Sequence, residues 1–256
     1  THIPNTPDWL KAGLSVYLNE EIRMSYLPWY VSDYNIYTAS FVSQILKSSL
    51  DIKETIKNLM TGEIEFDNEL HLPFCWAIIE YFSYYEDYWV YEDFFKNIFQ
   101  IVQKGNNAQE IQKNITDYLN QWEEFENIPE DINEFLHDSY TVEDYYARGS
   151  ELYEEGDIDE LENLALAFLY HDESNTYGYY LYGLMCYRTE EYDSAIEVFN
   201  EALELEGAPG LLNYAIGLCY FKMEEYNLAR EFFDIAVNAN PEKYSPLTEA
   251  VTALIE

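Results

Sequence analysis

The chain has 256 residues, 48 % hydrophobic and 18 % aromatic, with 26 tyrosines. Such a composition describes a folded protein with a sizeable core, in one large domain or two smaller ones, and excludes an acidic disordered tail. With 13 Lys and Arg against 49 Asp and Glu the net charge is −36, the wrong sign for direct nucleic-acid binding or for docking on an anionic membrane.

No apolar run approaches the roughly 20 residues of a membrane span. The opening THIPNTPDWL has no basic start, no apolar signal core and no initiator Met, so a chain trimmed from a longer protein is an open expectation. Cys75, Cys186 and Cys219 form no Cys-x-x-Cys pair, which speaks against a disulfide framework or a zinc knuckle and for a reducing, cytoplasmic setting. The acidic surface has two readings: simple solubility, or a match to a basic partner protein.

The first half, 1–140, reads as a helical domain without internal repeats. Apolar periodicity predicts helices over 7–19, 36–47, 51–60, 72–85, 90–103 and 108–125. Asp51 suits an N-cap and Gly62 a stop. GEIEFDNELHL, from Gly62, reads as a short strand or an extended loop. The aromatic strip WAIIEYFSYYEDYWVYEDFF, from Trp76, is core by its helical spacing, with an exposed docking face as the alternative.

Two segments here carry a resemblance. PDWLKAGLSVYL, from Pro7, resembles the segment that follows the zinc-binding helix in gluzincin-type metallopeptidases, where the pattern is P-x-W-L-x-E-G-L-A-x-Y. YTASFVSQILKSSLDIKETIKNLMTGEIEFDN, from Tyr37, is similar to the helical stretch that comes next in that family. The resemblance implies the C-terminal helical remainder of a peptidase-like domain, truncated or degenerate. The family's third zinc ligand, a Glu, is replaced by Ala12, whose methyl group cannot bind metal. The HExxH motif is absent, and the four histidines (His2, His71, His137, His171) lack its spacing. The resemblance therefore implies neither zinc nor proteolysis. No phosphate loop, G-x-S-x-G elbow or local Cys/His pair appears, so no catalytic residue, metal or cofactor is expected.

The second half, 141–256, is periodic. YGLMCYRTEEYDSAIEVFNEAL from Tyr182 and IGLCYFKMEEYNLAREFFDIAV from Ile216 start 34 residues apart, and Gly183/Gly217, Tyr192/Tyr226, Ala195/Ala229, Phe199/Phe233 and Ala202/Ala236 coincide. A weaker first copy aligns Gly149, Ile158 and Leu161, while Ala165 and Phe168 exchange the large and small places. The units are 142–175, 176–209 and 210–243, each a pair of helices, with a capping piece over 244–256. This pattern resembles the tetratricopeptide repeat, which shares the 34-residue period and the Gly, Tyr, Ala, Phe, Ala, Pro positions. Pro241 supplies the last of these, with Gly207 and Glu173 in its place in the other units. The resemblance implies an all-α solenoid whose concave face is lined by the first helix of each pair.

On that helix Tyr146, Tyr180 and Tyr214 recur in register, as do Tyr153, Tyr187 and Phe221, and beside them Glu154, Arg188 and Lys222. The two aromatic sets lie seven residues apart, on one face. Between residues 121 and 175 the only cation is Arg148, so the aligned Arg188 and Lys222 stand out. One reading is an aromatic groove with a cationic edge for a peptide or partner helix. The other is packing, with only the hydroxyls reaching water. Tyr180, Leu184, Tyr214 and Leu218 occupy the places where the family's carboxylate-clamp members have Lys and Asn, which argues against that ligand. Three functions stay open: a non-catalytic scaffold or adaptor for a protein or peptide, the accessory part of a peptidase whose catalytic motif lies upstream, and an acidic inhibitor, immunity or nucleic-acid-mimic protein for a basic partner.

Overall fold

The computed structural model describes residues 5–26, 34–84 and 88–253, and every regular element among them is an α-helix. The chain divides into two compact units, one of Thr1–Leu27 with Tyr37–Val142, the other of Pro28–Ile36 with Glu143–Glu256.

The first unit contains α1 (Asp8–Tyr26), α2 (Ile36–Lys47), α3 (Ile52–Thr61), α4 (Asn68–Tyr84), α5 (Tyr88–Lys104), α6 (Ala108–Leu119) and α7 (Ile128–Asp138). Helix α1 runs past the expected end at residue 19 because Glu20 and Glu21 continue a helix freely. It lies close along α4: a Cβ on Gly13 would collide with the Cys75 carbonyl oxygen. Helix α3 has the expected caps. Asp51 accepts a hydrogen bond from the Glu54 amide at 2.9 Å, and Gly62 closes the helix at φ +72°. Gln112 and Thr116 of α6 donate to the carbonyls of Met60 and Thr61 at 3.0 and 2.8 Å, satisfying the last turn of α3.

GEIEFDNELHL forms no strand. It is a loop that enters α4 at Asn68, four residues before the expected start. Helix α7 has no counterpart among the expected segments, although Ile128, Ile132 and Leu136, spaced by four and fully buried, are its signal. Much of the aromatic strip is core: Trp76, Ile78, Tyr81, Phe82 and Phe94 are buried, and Phe82 stacks on Phe94 with centroids 3.9 Å apart. Residues 85–87 of the strip lie outside the described residues. Ala12 packs, half-buried, against this core.

The second unit contains three helix pairs and a final helix: α8 (Val142–Glu155) with α9 (Ile158–His171), α10 (Thr176–Arg188) with α11 (Tyr192–Glu204), α12 (Pro209–Lys222) with α13 (Tyr226–Ala239), then α14 (Pro241–Thr252). Ala195, Phe199 and Ala202 of α11 and Ala229, Phe233 and Ala236 of α13 are all buried. The missing side chain of Gly217 makes the pair contact possible, since a Cβ there would stand 2.5 Å from the Phe233 ring. Gly183 bears the same relation to Phe199. In the first pair, Phe168 fills the space beside Tyr146, centroids 5.4 Å apart. Gly149 is covered instead by Leu181 and Tyr177 of α10, the first helix of the next pair. Each pair turns through one residue of positive φ at the repeat period: Gly156 (+78°), Glu190 (+67°) and Glu224 (+63°). The amide after each reaches back five residues, as in Glu191 to the Cys186 carbonyl at 2.9 Å, which satisfies an end-of-helix acceptor.

Candidate peptide-binding face

The first helices of the pairs, α8, α10 and α12, carry all eight residues that the period singles out. Tyr146, Tyr153, Tyr180, Tyr187, Tyr214 and Phe221 are half-buried, while Arg188 and Lys222 are exposed.

Tyr146, Tyr180 and Tyr214 each rest on the large aromatic of their own second helix. Their centroid distances to Phe168, Phe199 and Phe233 are 5.4, 6.1 and 5.6 Å. Tyr153, Tyr187 and Phe221 sit nearer the turns. Tyr187 meets Tyr192 edge to face at 5.6 Å, and Phe221 meets Tyr226 at 5.8 Å. Five of the six rings therefore serve packing. Such packing fixes the rings in place, as a recognition surface requires.

Burial and neighbouring rings act on the hydroxyls of this face. Burial first, then the facing Tyr153, Cys219, Tyr192 and Tyr214, pushes the Tyr187 hydroxyl above its ordinary pKa. Burial followed by Tyr177, Tyr153 and Tyr244 does the same for Tyr180. Tyrosines of three successive repeats are thus close enough to act on one another.

The Arg188 guanidinium carbon lies 5.5 Å from the Tyr153 ring centroid, a cation–π contact reaching back one repeat. Arg188 and Lys222 also end α10 and α12, where a cation complements the helix dipole.

Two tyrosines of this network are out of register, and so were not legible from the period. Tyr177, aligned with Glu143 and Leu211, meets Tyr146 in a tilted contact with centroids 4.1 Å apart and donates its hydroxyl to the Tyr146 carbonyl at 2.7 Å. Tyr244 of α14 covers Tyr214 at 5.7 Å. A third, Tyr34, belongs to the short early segment of the second unit. It donates to a Glu160 carboxylate oxygen at 2.7 Å and meets Tyr145 edge to face at 5.8 Å.

All three cysteines are unpaired and buried. Among the described residues no three His, Cys, Asp or Glu gather as they would around a metal ion. No helix among them is long and apolar enough to cross a membrane.

A stack of helix pairs at a 34-residue period, with small–large packing inside each pair, defines a helical-repeat protein. The tetratricopeptide repeat family matches residues 177–209 and 212–243, the second and third pairs. That match supports a tetratricopeptide-repeat protein and hence a protein-interaction module with protein partners. It lies wholly in the second half, and the peptidase resemblance of the first half gains no support from it. No curated protein and no solved structure matches the chain.

Proposed function

We propose that the protein is a non-catalytic scaffold or adaptor, acting in the cytoplasm, that binds a peptide or partner-protein segment across α8, α10 and α12. One observation carries this reading: half-buried aromatic rings recur at the repeat period on three successive first helices, with Arg188 and Lys222 beside them. Rings held by packing give contact area at low entropic cost. The two cations suit a carboxylate of the ligand in a chain of net charge −36. The three buried thiols agree with a reducing compartment.

A second reading rests on that same charge: the acidic exterior engages a basic protein. Affinity capture at low and high salt separates the two. The tagged protein is compared with Tyr180→Ala and with Arg188→Glu/Lys222→Glu. Capture lost in the face variants supports the first reading. Capture unchanged in both variants but lost at high salt supports the second.

A further inference from the structure

The first edge of the repeat stack differs from its inner contacts. On the third pair, Leu212, Ile216 and Cys219 of α12 pack with Ala195, Phe199 and Ala202 of α11, the second helix of the pair before. The aligned places in α8 are Asp144, Arg148 and Glu151, and Arg148 pairs with Glu151 and Glu155 at 3.1 and 3.4 Å. A charged edge suits the end of a solenoid. Tyr34, just before α2, is placed on this first pair. It donates to Glu160 in the first turn of α9 at 2.7 Å and meets Tyr145 of α8 edge to face. Burial first, then the hydrogen bond and charge of Glu160, raises the pKa of its hydroxyl, with Arg148 opposing. The group therefore stays a donor.

A second hydrogen bond reaches α8 from α2 itself. Val142 opens α8, and its amide has no acceptor within that helix. It donates to the buried Ser43 hydroxyl of α2 at 2.9 Å, across 99 residues of chain. Little slack separates Tyr34 from α2, because the Ile36 amide donates to the Tyr34 carbonyl at 3.0 Å and Ile36 is buried. Phe41, Val42 and Ile45 then anchor α2 in the core of the first unit. Each contact lies within one unit, but both helices cross the division, α2 after Ile36 and α8 after Val142. We infer that α2 is a clasp through which the first unit steadies the first repeat pair, Tyr34 holding the start of α9 and Ser43 the start of α8. A terminal pair has a repeat on one side only, so two hydrogen bonds weigh more there than inside the stack. Loosening α2 then loosens α8 and α9, while the later pairs keep their own contacts. Tyr146 and Tyr153 lie on α8, so the state of the first unit is passed to that end of the aromatic face. The coupling holds whatever that face binds.

Amide hydrogen exchange of the full-length protein, read by mass spectrometry, tests the clasp. Tyr34→Phe/Ser43→Ala keeps the ring and the helix and removes both hydroxyls. Exchange of α8 and α9 is expected to quicken roughly tenfold, the scale of two lost hydrogen bonds, with α12 and α13 unchanged. Each single variant is expected to show part of that effect. Ser40→Ala is the control, since the Ser40 hydroxyl donates within α2 to the Tyr37 carbonyl, and it is expected to leave α8 and α9 at the parent rate. Ile45→Val loosens α2 from the core without touching either hydroxyl, and is expected to quicken α8 and α9 along with α2. Unchanged exchange of α8 and α9 in the double variant overturns the inference. So does equal quickening in α8, α9, α12 and α13, which marks general destabilisation, or an Ile45→Val effect confined to α2. A Ser40→Ala effect on α8 and α9 as large as that of Ser43→Ala overturns it too.

Discussion

The Arg188 guanidinium lies over the ring of Tyr153, which stands one repeat earlier in the chain, at 5.5 Å from its centroid. The contact joins the second pair to the first and sets a cation at the edge of the aromatic face. Lys222 holds the aligned place at the end of α12. Reversing both charges is expected to weaken binding of the captured partner, more at low salt than at high salt, because screening removes the attraction. Equal losses at both salt concentrations would count against it. Tyr180→Ala, which removes a ring anchored on Phe199, is expected to cost roughly 1 kcal/mol or more of binding.

Gly217→Leu is expected to destabilise the fold by on the order of 1–3 kcal/mol, because the Phe233 ring already occupies the space beside Gly217 and is itself buried. A shift of the urea midpoint with an unchanged slope checks it, and an unmoved midpoint would contradict the close contact of α12 and α13.

Glu190 and Glu224 hold left-handed backbone where the first repeat has Gly156. L-residues with a Cβ are strained there and glycine is not. Glu190→Gly and Glu224→Gly are each expected to stabilise by about 0.5–1 kcal/mol, and Gly156→Ala to destabilise. Thermal melts of the three variants test the ordering, and a glycine variant that melts below the parent would refute it.

Glu80 of α4 gives a pH dependence. Burial first, then the nearby Glu21 carboxylate, raises its pKa from the ordinary 4.5 to about 7, with the Trp76 indole opposing and Glu20 adding. The folded state thus favours the protonated acid. The contribution is fully present below pH 4.5 and is lost as pH rises through about 7. Glu80→Gln, which stays neutral, is expected to gain stability over the parent at pH 8, roughly 3 kcal/mol at most, and far less at pH 5. Equal differences at the two pH values would rule this out.

The peptidase resemblance puts Ala12 where that family has a ligand Glu, and on that basis purified protein is expected to hold no stoichiometric zinc. One equivalent by elemental analysis, together with a proteolytic activity lost on chelation, would contradict it.

The all-α class, the pairing of helices and the packing places of Gly183, Phe199, Gly217 and Phe233 were legible in the amino-acid order. They follow from local periodicity, and a duplicated unit repeats its own contacts. The caps of α3 were legible for the same reason, since Asp51 and Gly62 act on neighbours a few residues away. Helix α7 was missed although its apolar spacing was present, and the loop before α4 could have been a strand, because short apolar runs fit either period. Only the tertiary structure decided how the tyrosines divide their roles. Twenty-six of them are chemically alike, and a 34-residue register makes positions equivalent without saying what stands across from each ring. Tyr177 loses its hydroxyl to a carbonyl 31 residues earlier, and Tyr34 reaches Glu160 over a separation of 126 residues. Tyr180 and Tyr187 keep hydroxyls that no group among the described residues uses. Whether an O–H is spent or left for a ligand depends on the acceptor that folding brings within 3 Å or so, and no local pattern in the chain encodes that distance.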